Sequence, residues 1–139
     1  MHTPRHIREN SGFSTQDEHS VLLGLEALTE TLNLRYATRS TYAGGHPAHV
    51  IVLSIPDWSV TPFAAGQPRA AIAAAIDHFN AINRQEAAQA GAHYVDVTPV
   101  SRQALQDASL LATDGLHPSG KMYTQWVELV LPTALAATK

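Results

Sequence analysis

Seven consecutive residues in the middle of the chain, His49-Val50-Ile51-Val52-Leu53-Ser54-Ile55, make a nearly unbroken apolar, β-branched run. Such a run does not alternate between apolar and polar residues. It therefore predicts a strand covered on both faces, as in a parallel sheet, rather than one with a wet side. Gly44-Gly45 and Pro47 lie before it and Pro56 closes it. Any fold containing this strand must supply helical layers to cover it.

The flanking sequence supplies them. Val21, Leu22, Leu25, Leu28, Leu32 and Tyr36 recur at helical spacing, which predicts an amphipathic helix over 16–42. Ser14-Thr15-Gln16-Asp17-Glu18 reads as its capping box, with Thr15 capping and Glu18 reaching back. After the strand, 57–66 reads as a loop. Pro68 suits the first position of a second helix, striped by Ala71, Ile72, Ala75, Ile76, Phe79 and Ile82 and running to about residue 90, with Gly91 as its C′ residue. A second strand is expected over 92–97 and a short helix over 101–107. A last helix is expected over 119–130, carrying Met122, Trp126, Leu129 and Val130 and kinked or ended by Pro132. The order helix, strand, helix, strand, helix predicts a parallel α/β sheet, with its functional edge at the C-terminal ends of the strands. Residues 1–13 are polar and aperiodic and read as an arm, which leaves 14–139 as one domain.

Composition excludes several chemistries. There is no cysteine, so disulfides, thiolate zinc sites and a cysteine nucleophile are ruled out. Net charge is −3 and no Lys/Arg cluster occurs, so neither nucleic acid nor a membrane surface is an expected partner. No apolar run approaches the roughly 20 residues of a spanning helix, and the first residues lack the apolar core of a signal peptide. The expectation is a soluble, cytoplasmic protein with no cofactor. Eight histidines are many for 139 residues. His2 and His6 have the i, i+4 spacing of a helical metal pair, but Pro4 separates them and no carboxylate partner is evident. His46 and His49 read as solvated, His78 as a helix-flank residue and His93 as partly buried.

The chemistry concentrates in Asp114-Gly115-Leu116-His117-Pro118-Ser119-Gly120. Gly115 and Pro118 punctuate a tight loop. A carboxylate beside an imidazole fixes the tautomer of the histidine and raises its basicity, so that it can take a proton from a nucleophile. Asp114 and His117 are accordingly the candidate catalytic pair. Asp57 and Trp58, just beyond the first strand, are placed to touch a substrate, although a turn aspartate and a core-covering tryptophan explain them better.

Three blocks together resemble the SGNH (GDSL-type) hydrolases. Val50-Ile-Val-Leu-Ser-Ile-Pro-Asp-Trp-Ser-Val-Thr-Pro-Phe63 is similar to that family's fourth strand and following loop. His93-Tyr-Val-Asp-Val-Thr-Pro99 is similar to its last strand, and Asp114-Gly-Leu-His-Pro-Ser119 resembles its DxxHP block. The match is collinear over about 40–136. The resemblance implies a flavodoxin-like three-layer fold and hydrolysis of small, short-chain carboxylic esters, with His117 as general base and Asp114 as its orienting acid. It also exposes a departure. The family's nucleophilic serine sits in a Gly-Asp-Ser block after its first strand, and that block is missing here. The sequence begins near the family's third block, so most of the oxyanion hole, built after the first three strands, is missing as well. The chain thus reads as the C-terminal part of the fold. Ser11, Ser14, Ser54 and Ser59 stand as replacement nucleophiles among which the sequence does not choose. A two-stranded sheet with an apolar edge is a poor independent unit. Self-association through strand 49–55, most simply as a two-fold homodimer completing the sheet, is therefore expected. The alternatives are a non-catalytic, self-associating remnant, or a module that binds a partner through the same edge.

Overall fold

The computed structural model describes residues 39–138. The expected arm at 1–13, the capping box at Ser14–Glu18, the histidines at 2 and 6, and most of the helix expected over 16–42 lie outside them. Residues 39–42 are helical, and Gly44 and Gly45, both with positive φ, end that helix where the sequence places its stop.

The apolar run delivers strand β1, Ile51–Leu53, which is shorter than the expected 49–55. Pro47 draws Pro47–His49 into a 3-10 turn, so the strand starts late. At the other end the Asn80 side chain takes over the backbone of Ile55. Its Oδ1 accepts from Ile55 N at 2.7 Å and its Nδ2 donates to Ile55 O at 3.1 Å. The expectation of burial on both faces is corrected as well: Leu53 and Ile55 are 38% and 41% exposed.

Helix α1, Arg69–Gln89, crosses to β2, His93–Val95. Its alanine-rich sequence favours helix, and Pro68 is its cap rather than its first turn. It ends in a Schellman motif. Gly91 adopts φ +74°, Ala92 N donates to Ala87 O at 2.9 Å, and Gly91 N donates to Ala88 O at 3.1 Å. Strand β2 pairs in parallel with β1, with Ile51, Val52 and Leu53 opposite His93, Tyr94 and Val95. These two form the sheet of the described residues, a short parallel sheet among helices that is compatible with a truncated α/β fold.

Two further boundaries move. The short helix expected over 101–107 is α2, Thr98–Arg102, followed by a 3-10 turn at Gln103–Leu105. Pro99 in its first turn is preorganised for helix, and the buried Thr98 and Ser101 tie that turn to the end of β1. The last helix, α3, spans Gly120–Ala137 and passes through Pro132 instead of stopping there. Pro132 cannot donate to the Glu128 carbonyl. Residues 128, 129, 131 and 132 are exposed, so water can satisfy that carbonyl.

The core gathers Val95, Val97, Ala104, Leu110, Met122 and Trp126, with Ile51, Val60, Val100, Leu111 and Val130 packed against it. Trp126 is thus a core residue, as its place on the stripe implies. Its contributors include β2, the segment after α2 and α3, and that common packing carries the chain from sheet edge to site.

Candidate active site

Just beyond the C-terminal ends of β1 and β2 lies a buried polar network. Ser54 Oγ accepts from Val97 N and Thr98 N at 2.8 and 3.0 Å, and lies 2.8 Å from Thr98 Oγ1. Asn80 Nδ2 donates to Thr98 Oγ1 at 2.9 Å. Asp57 is 2% exposed. Its Oδ1 accepts from Ser59 N at 2.9 Å, its Oδ2 accepts from Arg102 Nε at 2.8 Å, and its own N–H donates to Ser101 Oγ at 2.8 Å. Burial alone would raise the Asp57 carboxyl above its ordinary range, but hydrogen bonds from Ser59 and Arg102 outweigh it and hold the group below. These partners make Asp57 a capping and tethering residue, the turn aspartate that its place after Pro56 predicts. Trp58 meets Phe63 edge to face, ring centroids 6.1 Å apart.

The second polar group is exposed. Residues 111–118 form a short hairpin closed by an antiparallel bridge between Leu111 and Pro118, with Ala112 N donating to His117 O at 2.8 Å. Within its tip, Asp114 Oδ1 accepts from Leu116 N and His117 N, each at 2.9 Å. Its other oxygen, Oδ2, lies 2.6 Å from His117 Nδ1. One carboxylate thus pins the turn with one oxygen and holds the imidazole with the other. The hydrogen bond to His117 is the leading cause that lowers the Asp114 carboxyl to about 2, aided by the two backbone donors. Nε2 is the ring nitrogen that Asp114 does not engage. The two side chains are 50% and 71% exposed.

Gly115 makes the tip possible. Its φ is +68°, and a Cβ there would come within 3.3 Å of Pro62 Cβ. The loop after β1 therefore seats directly on the hairpin, and Phe63 N donates to Gly115 O at 3.3 Å. Where loop and hairpin meet, Trp58, Thr61, Leu111, Leu116, Pro118 and Met122 line a mainly apolar cleft with about 30 Å³ of free space, room for one or two water-sized groups.

The structure brings the two residues singled out by the sequence, Asp114 and His117, into direct contact. It does not bring the described serine candidates to them. Ser54 and Ser59 are each 3% exposed, and Ser54 is committed to the buried network. Among the described residues no serine hydroxyl is hydrogen-bonded to the His117 ring. Ser11 and Ser14 lie outside those residues. Among the described residues, too, no three His, Asp or Glu side chains gather into a group able to hold a metal, and no helix is long and apolar enough to cross a membrane.

The short parallel sheet with its packed helices is compatible with a truncated α/β fold, and an exposed aspartate–histidine pair lies on a hairpin beside it. The chain belongs to the GDSL-like lipase/acylhydrolase family, whose model matches residues 4–125. That span reaches further toward the N-terminus than the three blocks quoted above. No curated protein and no solved structure matches the chain. Membership supports hydrolase chemistry in the broad sense.

Proposed function

We propose that this protein hydrolyses small, short-chain carboxylic esters, with His117 as general base and Asp114 as the group that orients it. The supporting observation is the 2.6 Å contact between Asp114 Oδ2 and His117 Nδ1 on an exposed hairpin. Asp114 holds Nδ1, so Nε2 takes the proton from a hydroxyl or water as its oxygen bonds to the ester carbonyl carbon. The carbonyl electron pair moves onto oxygen. When the intermediate collapses, the alcohol leaves and the proton on Nε2 goes to it. With water as nucleophile the acid is then free; with a hydroxyl, a water deprotonated by Nε2 attacks the acyl group and the proton returns to the hydroxyl as the acid leaves. The cleft beside the hairpin is the natural place for the acyl group, and its small free volume favours acetyl over longer chains. The nucleophile is unassigned. The burial of Ser54 and Ser59 favours water or a residue outside 39–138 over either of them. Self-association through strand 49–55 belongs to the same proposal. It is supported by β1 pairing on one side only among the described residues, with Leu53 and Ile55 exposed.

A purified sample should turn over p-nitrophenyl acetate faster than p-nitrophenyl butyrate, and octanoate least. Turnover of the acetate no faster than buffer would sink the esterase reading. A strict monomer by light scattering at micromolar concentration would sink the association. The second reading, a self-associating remnant without chemistry, draws its support from the absence of a serine bonded to His117 among the described residues. A wild type and a His117→Ala variant with equal background rates would favour it.

A further inference from the structure

The Asp114–His117 pair rides on a hairpin tip that is largely open to water, so burial alone does not fix where the imidazole points. The imidazole is held by Asp114, and the base of the hairpin carries a further set of hydrogen bonds. Ser119 N donates to Leu110 O at 2.8 Å, and Ser119 Oγ donates to Ser109 O at 2.7 Å. Ser119 also caps α3 by accepting from Met122 N. Across the same base, Lys121 Nζ donates to Asp107 Oδ2 at 2.6 Å and to Ser109 Oγ at 2.8 Å, while Asp107 Oδ1 accepts from Ser109 N and Ser109 Oγ. The 3-10 turn Ala108–Leu110 that leads into the hairpin, with its cap Asp107, is thus clasped to the first turn of the helix that follows the hairpin.

The position of Lys121 is the telling feature. It is the second residue of α3, where the positive end of the helix dipole disfavours a cation. A lysine here is held by its partners rather than by its helix. Its partner Asp107 has its carboxyl lowered to about 2, chiefly by the Lys121 hydrogen bond.

We propose that Lys121, acting through Asp107 and Ser109, is a positioning residue for His117. The proposal rests on the reading of Asp114–His117 as a catalytic pair. It adds that the clasp keeps His117 Nδ1 against Asp114, and so keeps the proton on Nδ1 and Nε2 free as the base.

The test reads the tautomer of His117 directly, without reference to turnover. In full-length protein carrying ¹⁵N-histidine, long-range correlations from the ring C–H protons report the ratio of Nδ1–H to Nε2–H. A free imidazole side chain favours Nε2–H, whereas the Asp114 contact demands Nδ1–H. Lys121→Met should lower the Nδ1–H to Nε2–H ratio by about two- to fivefold, the range expected for loss of an exposed ion pair. It should lower kcat with the fraction of Nδ1–H, and so by less than the ratio itself, with KM unchanged. Lys121→Arg should restore both. Asp107→Asn, which keeps the cap on Ser109 N but removes the charge, should repeat the loss and serves if Lys121→Met does not fold. The control is Arg84→Met, which removes a comparably exposed pair, Arg84–Asp96, away from the hairpin. It should leave the ratio as in wild type. An unchanged ratio in Lys121→Met, or an equal fall in Arg84→Met, overturns the proposal. A wild type in which His117 is mainly Nε2–H overturns the catalytic pair itself, and the clasp with it. The two failures are therefore distinguishable.

Discussion

Two polar clusters near the sheet edge behave oppositely. Ser54, Asn80, Thr98 and Asp57 are 2–8% exposed and bonded to one another, to backbone or to Arg102. Asp114 and His117 are 50% and 71% exposed and bonded to each other. The buried cluster's hydrogen bonds join β1, α1 and α2. The exposed pair holds its own hairpin tip and leaves a ring nitrogen available. Polar residues at a sheet edge thus divide into those that end the strands and those that can do chemistry, and solvent exposure separates them better than residue type does.

Four variants or titrations would break or sharpen this contrast. The largest effect is expected from Asp114→Asn, which removes the charged acceptor at Nδ1. Ester turnover should fall about 10²-fold, less than the roughly 10⁴ seen for a buried triad aspartate because Asp114 is half exposed, and the melting temperature should barely move. Next comes Asn80→Ala. It leaves the N–H of Ile55 without its partner, while the Ile55 carbonyl keeps its second donor, Thr98 Oγ1, at 3.0 Å; the loss should be about 1–3 kcal/mol in urea unfolding. A loss below about 0.5 kcal/mol would mean that the buried cluster does not hold the strand end. Gly115→Ala must both keep φ at +68° and crowd Pro62; a loss of about 1–2 kcal/mol is expected. The smallest effect lies in acid. The Asp107 and Asp114 carboxyls are both lowered from 3.8 to about 2. Their hydrogen bonds therefore support the hairpin fully above about pH 4, and that support is lost as pH falls through about 2. Carboxyl carbon titrations should show midpoints near 2 for both, and a midpoint near 3.8 for either would mean that its contact is absent in solution.

Much of this was legible from residue order. The run 49–55 and the stripe from Ala71 to Ile82 announce β1 and α1, and the Gly91 stop is where the sequence places it. Asp114 and His117 stand out because Gly115 and Pro118 leave the loop between them little freedom. The strand ends were not legible, because they are set by long-range partners. Nothing local to Ile55 says that Asn80, 25 residues on, takes its backbone bonds. The passage of α3 through Pro132 depends on an exposed carbonyl, which is a tertiary fact. The clasp of Asp107, Ser109 and Lys121 also escaped the sequence reading, although a lysine in the first turn of a helix was a signal that it needed an anion.

The most direct test compares hydrolysis of p-nitrophenyl acetate by wild type and His117→Ala, prepared identically and matched by melting temperature. If the exposed pair carries the chemistry, the variant loses about 10²- to 10⁴-fold in rate and keeps its stability to within about 0.5 kcal/mol. Equal rates in the two proteins would contradict it.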